Sequence, residues 1–460
     1  MSSLKYKIIG LLLFIIVIFI FVWEWGWTIS LFFALVLIYV LFSKKGGSIF
    51  DAFKMFKAEQ KELKMEQKEE DQEQLIQTSL NDFKPKKGAK IAIALSGGVD
   101  SATSAYLLKK EGYELKAFFM VNWDSAINSE LNYILTDDEV CQQTKDYLDA
   151  KKVADFLGIE LIRINFIKQY WDLVFQKFLK EIKMGITPNP DIFCNKYIKF
   201  KEFTDYIFKN YPELEYVSTG HYASIKTKDD DYFLGQAIDE FKDQTYFLSE
   251  IDKKILNKIY FPLANLKKSE VRKIAIKANL PTATKKDSTG ICFIGKRNFP
   301  DFIANYLKDK PGKIIDQKTN KAIGKHRGVL FYTLGQRRGL NLSGNKEPYF
   351  VSKKDVKKNI LYVATEKNPE FLYSNYIETE NFNLLAPLEL LKDFVWIKTR
   401  HSEIQYEAKI LNVKNTKNKL KITIKTKEDI KAVTPGQEVV IYKHKLCLGG
   451  GQITKNEFKI

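Results

Sequence analysis

An apolar run that ends on a glycine pair and passes straight into a helix leaves a chain few folds to choose from. Lys90-Ile-Ala-Ile-Ala-Leu95 has the composition of a fully buried strand; it stops at Ser96-Gly-Gly-Val-Asp-Ser101, and residues 102–110 then have helical character. Strand, glycine turn and helix in that order form a layout for binding phosphate. Gly97 and Gly98 let backbone N–H groups turn inward with no side chain in the way, and the start of the helix adds partial positive charge. The hydroxyls of Ser96 and Ser101 can donate to the same oxygens. No Gly-Lys-Ser/Thr ending follows, so this is not the Walker-type loop that grips β and γ phosphates. The other reading of the segment is a tight turn whose glycines serve geometry alone.

The pattern that follows alternates. Residues 114–121 read as a second strand, 139–157 as an amphipathic helix, 160–166 as a third strand, 169–184 as another helix and 216–219 as the next strand. This predicts an α/β fold with a doubly wound parallel sheet, whose ligands sit at the carboxyl ends of the strands. Met120 and Gly220-His221-Tyr222 lie at such ends. After Pro311-Gly312 the helical pattern fades. Residues 328–333, 349–351, 360–364, 395–399, 406–413, 420–424 and 438–442 read as short strands of small β domains.

Four cysteines, Cys141, Cys194, Cys292 and Cys447, stand far apart with no CxxC pair and no Cys/His cluster to hold zinc. That spacing argues against a structural disulfide framework, and any thiol chemistry falls to single nucleophiles in a reducing compartment. Cys194 lies in Gly185-Ile-Thr-Pro-Asn-Pro-Asp-Ile-Phe-Cys-Asn-Lys196. Two prolines and Asp191 there precede a helix expected to begin near Ile192, which puts the thiol in a first turn that lowers its pKa. Asp191 reads either as the cap of that helix or as a reacting group. Cys292 lies in Lys285-Lys-Asp-Ser-Thr-Gly-Ile-Cys-Phe-Ile-Gly295, where glycines and two lysines favour a thiolate. Cys141 and Cys447 read as small buried hydrophobes.

The N-terminus is a separate matter. Residues 8–42 are apolar except for a break at Glu24 to Gly26, flanked by Lys5 and Lys7 before and by Lys44 and Lys45 after. Two short spans joined by a Trp-rich turn, with both ends in the cytoplasm, predict a transmembrane hairpin that anchors a cytoplasmic catalytic part to the membrane. A start at Met55 or Met65 would leave a plain cytoplasmic protein. Residues 51–88 mix Lys with Glu and Gln and read as a charged helical linker. The net charge of +17 falls mostly beyond residue 88. It suits a polyanionic partner, or else a lysine-rich proteome.

Seven ordered motifs then converge: Ser96 to Ser101, Thr187-Pro-Asn-Pro-Asp191 with Cys194-Asn195, Gly220-His-Tyr222, Lys242-Asp-Gln244, Asp287 to Gly295, Tyr332-Thr-Leu-Gly-Gln-Arg337 and Val433-Thr-Pro-Gly-Gln437. From about residue 89 to its end the chain resembles the bacterial tRNA-specific 2-thiouridylases of the MnmA type, within the PP-loop ATP pyrophosphatases. The resemblance implies a PP-loop domain over 89–303, a small central domain over 304–378 and a C-terminal β-barrel over 379–460, behind the anchor (1–50) and linker (51–88). It implies that ATP with Mg2+, held by Ala94, Leu95, Ser96, Gly97, Gly98, Val99, Asp100 and Ser101 with Met120 and Gly220 at the nucleoside, adenylates the 2-oxygen of a wobble uridine. Sulfur then replaces that oxygen. No tightly bound metal or organic cofactor is implied.

The resemblance further gives Cys292 as the persulfide carrier, loaded by a cysteine desulfurase or a sulfur-relay protein, and Cys194 as the partner thiol, ending in a transient Cys194–Cys292 disulfide. Asp191 becomes a general base or orienter. Asn189, Pro190 and Asp191 would face the target base, while His221, Lys242, Asp243, Gln244, Arg400, His401 and Gln437 would contact the tRNA. The family carries tyrosine where this chain has His401. Two rival readings are an amide-forming ligase of the same superfamily, for which no glutaminase-like region is evident, and a non-catalytic membrane-tethered RNA-binding protein.

Overall fold

Ile91, Ala92 and Ile93 are wholly buried because the strand that carries them is the middle one of a sheet covered on both faces. The computed structural model describes residues 80–124, 142–287, 299–308, 310–342, 347–402, 404–416 and 419–458, together with Lys57. In chain order the first part runs β1 (Asn81–Asp82), β2 (Lys90–Ala94), α1 (Val99–Lys110), β3 (Glu114–Val121), α2 (Gln142–Leu157), β4 (Leu161–Asn165), α3 (residues 167–183), α4 (residues 190–210), β5 (Tyr216–Ser218), β6 (Ser224–Lys228), β7 (Asp231–Gly235), β8 (Ile259–Tyr260) and α5 (Lys268–Lys277).

The five-stranded sheet has the order β4-β3-β2-β5-β8, with every pairing parallel. Alternate residues of β2 feed two cores. Ile91, Ile93 and Leu95 pack with α1 and α2 through Ala102, Ala105, Leu108, Val153 and Ala154. Ala92 and Ala94 face α3 and α4 through Phe175, Phe178, Phe193, Ile198 and Phe203. Burial on both faces explains the uninterrupted apolar run and the parallel pairing. The strand order reverses between β2 and β5, so the crevice at their carboxyl ends is the topological switch point where such sheets bind ligands. The turn after β2 and the residues after β5 are the ones that the sequence reading marked.

Two helical runs carry π-helical turns, Trp171–Phe175 in α3 and Cys194–Glu202 in α4. Such bulges shift side chains out of α register and are frequent at functional sites.

The carboxyl half adds β9 (Gly312–Asp316), β10 (Ala322–His326), β11 (Phe350–Asp355) and β12 (Ile360–Ala364), which form a four-stranded sheet of order β10-β9-β12-β11. The last six strands are β13 (Tyr373–Leu384), β14 (Phe394–Lys398), β15 (Tyr406–Thr416), β16 (Lys419–Lys431), β17 (Glu438–Lys443) and β18 (Leu446–Phe458). Because β18 pairs with both β13 and β17, the six close into a barrel around Ile377, Val395, Ile397, Ile424, Val439 and Leu448. β13 straddles the division expected at residue 378.

Two expectations need correction. The stretch 328–333 is not a strand: Val329–Phe331 form a single 3-10 turn, with Val329 and Phe331 buried in the core without ladder partners. The hairpin β6–β7, absent from the sequence reading, stands apart from the parallel sheet and extends the barrel sheet through Leu446 opposite Gly235.

Among the described residues no helix is long and apolar enough to cross a membrane. The hairpin expected over 8–42 and nearly all of the linker over 51–88 lie outside those residues.

Candidate active site

The turn after β2 is built to leave backbone donors open. Gly97 adopts φ +75°, and a Cβ there would lie 2.2 Å from the carbonyl oxygen of Asp146 on α2, so only glycine lets helix and turn approach this closely. Gly98 caps α1 in extended conformation with no side-chain cap, which leaves the first-turn N–H groups of a 12-residue helix to an anion. Ser101 Oγ donates to the Gly98 carbonyl (3.1 Å), lies 3.1 Å from Ser96 Oγ and accepts from Ser96 N (3.2 Å), which fixes the curvature of the turn. A Cβ on Gly220, just past β5, would sit 2.6 Å from Ser101 N. The expected nucleotide residues Ala94 to Ser101 and Gly220 are thus in contact at the switch point. Met120 lies in the same core as Ala94.

Charged residues, among them Lys268, Arg272, Asp146 and Asp149 from outside the motifs, brace this turn. Lys285 Nζ donates to the Gly97 carbonyl (3.0 Å), to Asp146 Oδ1 (2.8 Å) and to Asp149 Oδ2 (2.7 Å). Burial works to lower its pKa, but the two carboxylates outweigh it and hold the ammonium charged. Lys285, one of the two lysines expected to favour a thiolate at Cys292, thus has two carboxylate partners, while Cys292 lies outside the described residues. Asp100 accepts from Lys268 Nζ through both oxygens (2.6 and 2.8 Å) and from Tyr222 OH (3.0 Å). The network continues to Asp287, which meets Lys268 (2.9 Å), Arg272 (2.6 Å) and Lys242 (3.0 Å). Burial would raise the Asp287 carboxyl, yet hydrogen bonds from Lys268 and Lys242 hold it down at about 2. Lys268 and Arg272 stand at i and i+4 on α5, a spacing visible in the sequence but uninformative without the partners.

Beyond Met120 and Val121, Asn122 is fully buried with neither atom of its carboxamide hydrogen-bonded. Leaving such a group unsatisfied costs about 1–3 kcal/mol. It stands past the carboxyl end of β3, and no motif singled it out.

The turn before α4 departs from expectation. The helix starts at Pro190, and its cap is Asn189, whose side-chain oxygen accepts from Asp191 N (3.1 Å) and Ile192 N (3.4 Å). Proline suits the first helical position because its missing N–H would be unpaired there anyway. Asp191 is therefore in the first turn rather than the cap. Cys194 is the fifth helical residue, fully buried, in the core that also holds Ala94, Met120, Trp123 and Phe193. Asn195 donates to the Phe247 carbonyl (3.0 Å), while its own oxygen is buried without a hydrogen-bond partner. Lys196 pairs with Glu250 at 2.7 Å, and Lys177 lies 4.0 Å over the Phe193 ring. Cys292, and with it the Cys194–Cys292 pairing, lies outside the described residues, as does Cys141. On one side of that gap Lys285 and Asp287 are tied to the glycine turn and α5. On the other, Phe302 packs on Trp123 and Phe175.

The residues expected to meet tRNA divide into two groups. His221 sits beside the glycine turn, with Nδ1 2.7 Å from Thr219 Oγ1 and Nε2 3.4 Å from Lys199 Nζ; burial, then the Lys199 charge, push its pKa down, so the ring is neutral. Gln437 donates to the Thr187 carbonyl (2.8 Å), which joins the barrel to the turn before Asn189. Asp243 points inward instead. It is 1 % exposed and accepts from Thr245 Oγ1 (2.6 Å), Ala237 N (3.1 Å) and Gln236 Nε2 (3.4 Å). Gln244 accepts from Tyr222 N (2.9 Å). His401 lies against Phe247 with ring centroids 4.6 Å apart, and exposed Arg400 donates to the Lys431 carbonyl (3.0 Å). Among the described residues no cluster of three His, Cys, Asp or Glu could hold a metal ion.

Three family models match in succession: "tRNA methyl transferase HUP domain" over 89–296, "tRNA methyl transferase PRC-barrel domain" over 300–365 and "Aminomethyltransferase beta-barrel domain" over 374–453. The chain is 48% identical over 374 residues to the tRNA-specific 2-thiouridylase MnmA of Mycoplasma capricolum subsp. capricolum, covering 80% of this chain and 98% of that protein. It is 46% identical over 372 residues to that of Mesoplasma florum (79% and 98%) and 47% identical over 380 residues to that of Malacoplasma penetrans (80% and 99%). Among solved structures a 4-thiouridine synthetase–RNA complex with bound ATP matches at TM-score 0.28 and 13% identity, over 45% of this chain and 46% of that one, a likeness too slight to bear on function. With a parallel sheet that places a glycine turn at its switch point, three successive domain matches and near half identity to these relatives, the chain belongs to the family of tRNA-specific 2-thiouridylases.

Proposed function

We propose that this protein is an ATP-dependent tRNA-uridine 2-sulfurtransferase. The carrying observation is that the open, uncapped start of α1 and the Gly97 turn meet Gly220 at the switch point, while Cys194 lies in the core beneath the same strand ends. A phosphate chain suits the first feature and sulfur transfer the second. Backbone N–H groups at Gly97 to Ser101 hold the ATP phosphates and stabilise charge on the departing pyrophosphate. Mg2+ brought in with ATP would offset phosphate charge; Asp100 in the turn is engaged by Lys268 and Tyr222.

In the first step the uridine 2-oxygen attacks the α phosphorus, an O–P bond forms and pyrophosphate leaves. In the second, the outer sulfur of a Cys292 persulfide becomes bonded to C2, and the C2–O bond breaks with AMP as leaving group. The Cys194 thiolate attacks the Cys292 sulfur, the persulfide S–S bond breaks with its electron pair left on the outer sulfur now held by C2, and the resulting Cys194–Cys292 disulfide is reduced by an external dithiol. A cysteine desulfurase or relay protein reloads Cys292. Asp191, in the first turn of α4, serves the target uridine as base or orienter.

Deleting the gene and assaying tRNA nucleosides by mass spectrometry tests the reading. Loss of 2-thiouridine, restored by the intact gene, is expected. Unchanged 2-thiouridine would exclude it, and an amide-forming activity would leave that nucleoside untouched.

A further inference from the structure

Two motifs that the chemistry above leaves unused, Tyr332 to Arg337 and Val433 to Gln437, come together around the turn that precedes Asn189. From the barrel, the Pro435 carbonyl accepts from Thr187 N (3.1 Å) and Gln437 Nε2 donates to the Thr187 carbonyl (2.8 Å). From the central sheet, Gly335 N donates to the Val351 carbonyl (2.8 Å) and Val351 N to the Gln336 carbonyl (3.0 Å), so the first motif lies along β11. Three residues further along β11, Lys354 Nζ reaches Thr187 Oγ1 at 3.3 Å. One turn of the first domain thus receives contacts from both of the others.

Lys354 is the unusual member. It is half-buried, and no carboxylate among the described residues pairs with it, although most lysines around the nucleotide turn are paired. The groups around it explain why. Its cross-strand neighbour on β12 is Leu361. The facing turn offers Gly185, Ile186 and Thr187, and the barrel loop offers Pro435, Gly436 and Gln437, none of them ionisable. The sequence neighbours are occupied elsewhere: Lys353 lies over the Tyr362 ring and Asp355 accepts from Lys358 N. Burial alone pushes the Lys354 ammonium down to about 8. The adjoining Arg337 and Arg338 are exposed and also lack a carboxylate partner among the described residues. A cation enclosed without a counter-ion costs desolvation that an incoming anion recovers.

We infer that Lys354 is a phosphate-binding residue for the RNA, holding the backbone next to the target nucleotide where the central sheet meets the Thr187 turn. The inference rests on the reading of Asp191 and Cys194 as the reacting groups. RNA backbone is the anion that fits, since ATP occupies the separate turn at Gly97 and the chain is strongly basic. The protonated lysine is the binding form. Affinity is therefore level below about pH 7.5 and falls above pH 8, approaching ~tenfold per pH unit as the proton is lost.

The test is the dissociation constant of the full chain for its unmodified tRNA, measured against salt and against pH. Lys354→Gln is expected to lower the slope of log affinity against log salt by about 0.7–0.9, one phosphate contact, with ATP binding kept. Lys354→Arg is expected to keep the wild-type slope and to abolish the decline between pH 7.5 and 9. A wild-type slope in Lys354→Gln overturns the proposal, as does wild-type affinity that stays flat to pH 9. So does a Lys354→Arg slope as shallow as that of the glutamine variant, which would mean that the lysine only packs the turn. Should the glutamine variant not fold, the pH comparison of wild type with Lys354→Arg decides alone. The slopes are read on RNA binding, whether or not sulfur is transferred, so failure of the thiolation reading is separately visible.

Discussion

Replacing Cys194 by serine is expected to lower 2-thiouridine formation by roughly 10³-fold or more while ATP binding is kept. The side chain is wholly buried on α4, in the core shared with Ala94, Met120, Trp123 and Phe193, so serine fits the space. What serine cannot do is exchange with a persulfide, since its hydroxyl neither ionises near neutral pH nor attacks sulfur as a thiolate does. The glycine turn is expected to keep its shape, because the bonds that set it run between Ser96, Gly98 and Ser101. Single-turnover thiolation, with ATP binding measured on the same protein, checks both halves. A serine variant that thiolates at more than a tenth of the wild-type rate would remove Cys194 from the chemistry.

The second large effect is expected from Gly97→Ala. A Cβ at φ +75° is strained by about 1–2 kcal/mol, and it would also lie 2.2 Å from the Asp146 carbonyl oxygen and 3.0 Å from its carbon. Backbone cannot yield as a flexible side chain can, so either α2 or the turn must move. Lys285, which ties the Gly97 carbonyl to Asp146 and Asp149, carries the displacement into both. A shift of about 1 Å at a positioning element costs on the order of 10²-fold in rate. Turnover and ATP affinity are both expected to fall by that order, in contrast to the serine variant. An alanine variant with unchanged ATP affinity would show that the phosphates bind elsewhere.

The two variants also mark what the chain discloses locally. Strand, glycine turn and helix at Lys90 to Lys110 are legible because each is specified by neighbours in sequence. β3 falls at Glu114–Val121 and β12 at Ile360–Ala364, as the apolar runs indicate. Long-range partners are what the pattern lacks. Asn189 takes the cap, one of two readings for Asp191, because proline at position 190 sets the first helical residue. Lys285 looks like a neighbour of Cys292 in sequence but folds onto residues 136 and 139 positions away. Asp243 reads as a surface residue between Lys242 and Gln244, yet a turn sends it inward to Ala237 and Thr245. The hairpin β6–β7 is too short to announce which of two sheets it joins, and pairing with β18 decides it.

The claim on which all of this stands is that ATP converts the uridine 2-oxygen into part of AMP before sulfur arrives. A tRNA labelled with oxygen-18 at that position, incubated with the full chain, ATP, a cysteine desulfurase and cysteine, tests it in one measurement. The account predicts one labelled AMP for each 2-thiouridine formed. Heavy oxygen recovered in water or left in the RNA, with AMP unlabelled, would contradict it.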